Sequence, residues 1–136
     1  MVNANKQKGT AFESAVRDLA KSKGLHAIRP AQAASADMGD VHLAGMVTIQ
    51  CKDVANQAYT AWLADVAEQK IHAQLPFGVV VHKTRRASIA DARAVMPYGD
   101  FLELISRLDL ALRFVAADPY MAASFQKVVD HHAATQ

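Results

Sequence analysis

Apolar and polar residues along this chain recur with two different periods, and each change of period marks an element. Phe12, Val16, Leu19 and Ala20 fall at helical spacing between Thr10 and about Lys23, and Gly24 supplies a C-terminal stop. Leu25 to Arg29 reads as a short strand closed by Pro30. The small-residue loop AQAASADMG follows, of a kind that stays mobile until something binds. A second strand is predicted over Asp40 to Leu43. After Ala44-Gly45, the run Met46 to Val54 puts Val47, Ile49 and Cys51 on one face and Thr48, Gln50 and Lys52 on the other, as a half-buried strand requires.

The helical period returns from about Tyr59 to Leu75, with Trp62, Leu63, Val66, Ala67 and Ile71 on one face, and stops before Pro76. Gly78 to Val81 is a continuous apolar run, read as a buried central strand that opens into a basic loop carrying His82, Lys83, Arg85 and Arg86. A weaker strand covers Arg93 to Met96. Beyond Pro97, Phe101, Leu104, Ile105 and Leu108 keep a helical period, and Asp118-Pro119 opens a last helix containing Phe125 and Val129. This order predicts an α/β fold with a central mixed sheet flanked by helices, rather than a doubly wound parallel one.

With 136 residues and 14.7 kDa, one domain spanning 1–136 is expected, with a core over about 8–98 and a helical segment over about 99–136. No apolar run approaches the roughly 20 residues that span a bilayer, and the polar start has no hydrophobic signal core, so a cytoplasmic protein without a membrane partner is expected. The lone Cys51 excludes an internal disulfide and a multi-cysteine zinc site, leaving oxygen or histidine as ligands for any metal. Fifteen Lys and Arg against thirteen Asp and Glu give a net charge of +2, too small to diagnose nucleic-acid binding without local clustering.

The chemistry gathers on the hairpin of GDVHL and MVTIQCKD. Pairing Leu43 with Met46 would set the apolar faces of the two strands against each other; pairing Leu43 with Val47 puts Val41 opposite Ile49 on the core face. The same register sets Asp40 opposite Gln50, with Lys52 two residues further along. One carboxylate, one amide oxygen and a strand carbonyl such as that of Cys51 suit a hard cation, Mg2+ or Mn2+. Lys52 beside it suits phosphodiester hydrolysis, orienting water or stabilising transition-state charge. The plainer alternative is a solvated strand face behind a turn. Glu13 has a plain reading too, as the partner of Thr10 in a capping box.

Taken together, KGTAFESAVRDLAKSKGLHAIRP, GDVHL and VTIQCKD resemble the N-terminal half of the PD-(D/E)xK nuclease superfamily, specifically its archaeal-type Holliday-junction resolvases and their phage relatives. The likeness runs from about Lys8 to Val81. It implies a restriction-endonuclease-like three-layer fold, with Lys8-Gly9 opening the first helix and a catalytic, metal-holding set of Glu13, Asp40 and Gln50 completed by Lys52. The resolvases usually carry a glutamate where this chain has Gln50; a Gln-x-Lys pair is similar to that of Mrr-like restriction endonucleases, and the missing charge implies weaker metal binding.

Lys8, Arg17, Lys21, Lys23 and Arg29 form one candidate phosphate-facing surface, and His82, Lys83, Arg85 and Arg86 a second. By the resemblance, Arg29 and Ser35 flank a loop that contacts DNA. Four-way junction DNA is the expected partner, and its two symmetric cuts imply a homodimer, for which the second helix and the C-terminal helix pair are candidate interfaces. The alternatives are a restriction or repair endonuclease acting on duplex, a DNA-binding relative that has lost its metal, or a helical interaction domain with an incidental hairpin. Trp62, Tyr59 and Phe77 are read as packing residues, Gln69 as an ordinary helix-surface residue, and His131-His132 as exposed. Cys51, on the core face, is rejected as a nucleophile.

Overall fold

The computed structural model describes residues 3–31 and 36–135. The chain divides into two compact units, Met1–Met96 and Pro97–Gln136. The first contains α1 (Ala4–Ser22), β1 (Ala27–Ile28), β2 (Val41–Leu43), β3 (Val47–Lys52), α2 (Tyr59–His72), β4 (Phe77–His82), a single 3-10 turn at Ile89–Asp91 and β5 (Arg93–Val95). The strands form one five-stranded mixed sheet in the order β1-β2-β3-β4-β5, and only β3 and β4 run parallel, joined through α2. The unit is therefore α/β, a mixed sheet flanked by helices.

The register of β2 against β3 is Leu43↔Val47 and Val41↔Ile49, the pairing that apolar matching requires. Closing it takes a three-residue turn in which Ala44 and Gly45 both adopt positive φ, at 53° and 64°. On β3 and β4, Thr48, Gln50 and Lys52 pair with Gly78, Val80 and His82, so these six share a face. α2 lies on that face, clustering Trp62 and Val66 on Val80. Gly78 permits the close approach, since a Cβ there would stand 3.0 Å from the Val66 carbonyl oxygen. Phe12 and Val16 are the buried residues of α1, which packs on β1, β2 and β3.

α1 starts a turn and a half before the expected Thr10. Its N-cap is Asn3, whose side chain accepts from the Asn5 amide. Residues 4–8 are exposed and, Ala4 apart, polar, and Gly9 is half-buried, so no apolar period marks them, and Thr10 and Glu13 lie within the helix rather than in a capping box. Lys8-Gly9 is correspondingly inside the helix and does not open it.

The second unit is a helical hairpin, α3 (Tyr98–Ala116) and α4 (Pro119–Ala134). Asp118 caps α4, accepting from the Tyr120 and Met121 amides, and Pro119 occupies the first turn. Neither helix buries a residue.

Candidate functional site

The segment leading into β2 is strapped across β3. The Asp40 amide donates to the Ile49 carbonyl at 2.8 Å, and Asp40 Oδ2 accepts from the Cys51 amide at 2.7 Å. Before it, Gly39 has φ +89°, and a Cβ at that position would collide with Thr48 Oγ1. Thr48, fully buried, donates to the Met38 carbonyl at 2.6 Å, while Asp37 Oδ1 accepts from the Gly39 amide at 2.9 Å. The turn thus delivers two carboxylates, Asp37 and Asp40, to the edge of a sheet that carries Gln50 and Lys52.

Asp40 is held against its charge. Burial is the main cause pushing its carboxyl up to about 6; the Cys51 amide pulls the other way, Glu13 and Asp37 add repulsion, and Lys52 relieves some of it. Gln69 joins this centre from α2. It is 3% exposed, and its amide nitrogen donates to Gln50 Oε1 and, at 2.8 Å, to Asp37 Oδ2. Gln69 is therefore no surface residue, and its spacing signalled as much, since it follows the buried Trp62 and Val66 on the same helical face. Asp37, missed in the sequence because its loop has no period, enters through the same bond.

Lys52 Nζ stands 5.5 Å from the centroid of the Trp62 ring, within cation–π range. Trp62 is itself fixed edge-on by Tyr59 and His82. His82 was expected in a basic loop but is 4% exposed at the end of β4. Its Nε2 lies 2.7 Å from the Val54 carbonyl and its Nδ1 2.9 Å from the Tyr59 hydroxyl. A carbonyl can only accept, so Nε2 donates to Val54, and with the Tyr59 hydroxyl on Nδ1 both ring nitrogens are engaged inside the fold, which makes His82 a packing group. A groove of about 340 Å³ is lined by Asp37, Gln50, Lys52, Asp65, Glu68, Gln69 and His72.

Among the described residues, no three His, Cys, Asp or Glu side chains converge as a ready ligand cluster. Glu13 Oε2 accepts from Arg29 at 2.5 Å, and Arg29 also reaches Ser14 Oγ at 3.3 Å. Arg29 thus pairs with Glu13, with about a third of its side chain exposed. The Asp40 carboxyl is raised mainly by burial, and Gln69 Oε1 is a buried acceptor with no donor among the described residues. The oxygens of Asp40, Glu13 and Gln50 are of the hard kind that Mg2+ or Mn2+ takes. The Cys51 thiol is pushed well up, by burial first and then by Asp40 and Glu13, so it stays protonated; its contact with the site is its backbone amide.

Three of the predicted DNA-facing cations meet on one carboxylate. Asp53, with a side chain 5% exposed, receives Arg85 at 2.6 Å, Lys8 at 3.6 Å and Lys83 at 3.7 Å. Burial opposes the charge on Asp53, but the Arg85 hydrogen bond and the Lys83 and Lys8 charges outweigh it and hold the carboxyl below its ordinary range. The cluster still carries a surplus of two positive charges on half-exposed side chains. Arg17 pairs with its neighbour Asp18 at 2.9 Å. Ser35 lies outside the described residues.

No family model, no curated protein and no solved structure matches this chain.

Proposed function

We propose that the chain is a metal-dependent endodeoxyribonuclease of the PD-(D/E)xK type, with a restriction-endonuclease-like three-layer fold and four-way junction DNA as substrate. The observation that supports this reading is the anchoring of Asp40, just before β2, on the Cys51 amide of β3, the strand that carries Gln50 and Lys52, within the electrostatic reach of Glu13 on α1. Asp40, Glu13 and Gln50 would hold Mg2+ or Mn2+, which when bound supplies Lewis-acid stabilisation of charge on the phosphoryl oxygens. Lys52, held beside Trp62, would be the donor that orients an attacking water and stabilises transition-state charge. Asp37 and Gln69 act on the set indirectly: the Gln69 amide fixes the orientation of Gln50 while joining it to Asp37. Lys8, Lys83 and Arg85, arranged about Asp53, would meet the phosphate backbone.

A second reading has its own observation. Glu13 is engaged by Arg29 and Gln50 by Gln69, which suits a DNA-binding relative of the same fold that takes no metal. The choice of glutamine at 50 also keeps duplex cleavage, as by a restriction or repair enzyme, in the field. One experiment separates these: labelled immobile four-way junction and matched duplex, each incubated with Mg2+, Mn2+ or chelator, with the protein and with Lys52→Ala. Paired, metal-dependent nicks on the junction alone, lost in the variant, are expected. Equal cutting of duplex would move the assignment to a restriction or repair enzyme, and binding without cleavage under every metal would remove the enzyme.

A further inference from the structure

Between α1 and the loop that follows β4 lies a cleft of about 190 Å³, built wholly from residues of the first unit. One wall is a single face of α1, where Lys8, Ala11, Phe12 and Ala15 follow at i, i+3, i+4 and i+7. The other runs from Lys83 through Ala87 and Ser88 to the 3-10 turn. That second wall is preformed. The Thr84 hydroxyl donates to the Asp91 carbonyl at 2.8 Å and the Ser88 hydroxyl to Asp91 Oδ2 at 3.1 Å, across a loop in which Arg86 holds a positive φ of 56°.

The walls are alkyl and aromatic, but two ammonium groups attend them. Lys83 Nζ lies 5.9 Å from the centroid of the Phe12 ring. Lys8 and Lys83 stand 3.6 and 3.7 Å from Asp53, beyond hydrogen-bond distance, whereas Arg85 reaches it at 2.6 Å. The N–H donors of both lysines are therefore not spent on Asp53, and one carboxylate balances only one of the three cations. An apolar slot with cationic donors beside it is complementary to an anion that carries a flat apolar body.

We propose that this cleft takes the base of one unpaired nucleotide, with the adjoining phosphate on Lys8 and Lys83. The proposal rests on the DNA-cleaving function given above and adds how an opened strand is told from plain duplex. Size is the first reason: the cleft falls below the roughly 300–1,000 Å³ that encloses a whole small-molecule ligand, so it suits one ring-sized group of a larger molecule. Charge is the second, because every unit of a nucleic-acid strand pairs such a ring with a phosphate. Ala11, Ala15 and Ala87 keep the slot free of bulk, and the Ser88 hydroxyl is engaged within its own loop. The cleft thus has little with which to read base edges and accepts any base by its face. A base must leave its stack to enter, at a cost that is least where it is already unpaired.

Fluorescence anisotropy of the full chain in chelator reads this binding apart from any cleavage. The probes are a labelled oligothymidylate and a labelled strand of the same length and charge whose sites are all abasic. The oligothymidylate is expected to bind about tenfold tighter. Ala11→Leu, at an exposed helical position, fills the slot and is expected to remove that preference while leaving the abasic affinity and the fluorescence of Trp62 unchanged. Lys83→Gln is expected to weaken both strands alike. Equal binding of the two strands by the wild type overturns the proposal, as does a preference that survives Ala11→Leu, or displacement of the oligothymidylate by an equal concentration of a Glu-Phe repeat peptide. The nuclease function fails separately: a base preference in chelator with no cutting of any substrate under Mn2+ removes the enzyme and keeps the cleft, whereas junction cutting without the preference removes the cleft alone.

Discussion

Asp40, just before β2, and Asp53, just after β3, have carboxyls shifted in opposite directions, and the two make opposite predictions. Ionised Asp40 is a burden on the fold, because its folded value of about 6 lies above the ordinary 3.8. The folded state therefore binds the extra proton, and stability rises as pH falls from about 6 to 4. Asp40→Asn, which keeps an acceptor for the Cys51 amide, is expected to stabilise the metal-free protein at pH 7.5 by on the order of 1–3 kcal/mol and to abolish cleavage. Urea denaturation of both proteins across that range measures it. In wild type, cleavage is expected to fall in acid, where the proton on Asp40 competes with the metal. Asp53 behaves conversely: its depressed carboxyl contributes stability at neutral pH that is lost as acid titrates it below its ordinary range. Asp53→Asn leaves the part-exposed Lys8, Lys83 and Arg85 without their common anion and is expected to cost about 1 kcal/mol. Non-specific DNA binding should meanwhile strengthen and become more salt-dependent, because a neutralising charge is gone.

At the scale of elements, the hairpin of β2 and β3 was the most legible part of the chain. A strand's side chains alternate strictly, so one slip exposes every apolar residue, and Val41, Ile49 and Val47 leave one register open. That register carries the candidate site with it. The turn is strained at Ala44, and Ala44→Gly is expected to stabilise by a few tenths to about 1 kcal/mol, read as a shift in the urea midpoint. Gly39→Ala is expected to destabilise by about 2 kcal/mol, since its Cβ has no room beside Thr48, and to weaken any function that depends on Asp40 next to it. The start of α1 was not legible, because a solvated helical turn has polar residues all round and only its cap, Asn3, marks it. Gln69 and His82 differ from that reading for a related reason: polarity suggests the surface, whereas each is buried, His82 with both ring nitrogens engaged and Gln69 with its amide nitrogen donating inside.

For the whole molecule, the sequence divides charge unevenly, with a surplus of four basic residues over 1–96 and of two acidic residues over 97–136. The basic part contains the mixed sheet and the candidate centre; the acidic part is a hairpin without a core of its own. Periodicity found both helices of that hairpin, but period alone does not tell whether an apolar stripe meets the same chain or another one. Nor does it reveal charge pairing across space, which is how Asp53 came to organise three distant cations and Arg29 to engage Glu13. The central claim is that Asp40 and its neighbours form a centre for a divalent cation. Calorimetric titration of Mn2+ into the protein and into Asp40→Asn tests it without reference to any substrate. Saturable binding to the wild type, lost or weakened at least tenfold (about 1.4 kcal/mol) in the variant, is the expected result. Absence of binding to the wild type, or equal binding to both, would contradict the account and leave a DNA-binding protein built on the same sheet.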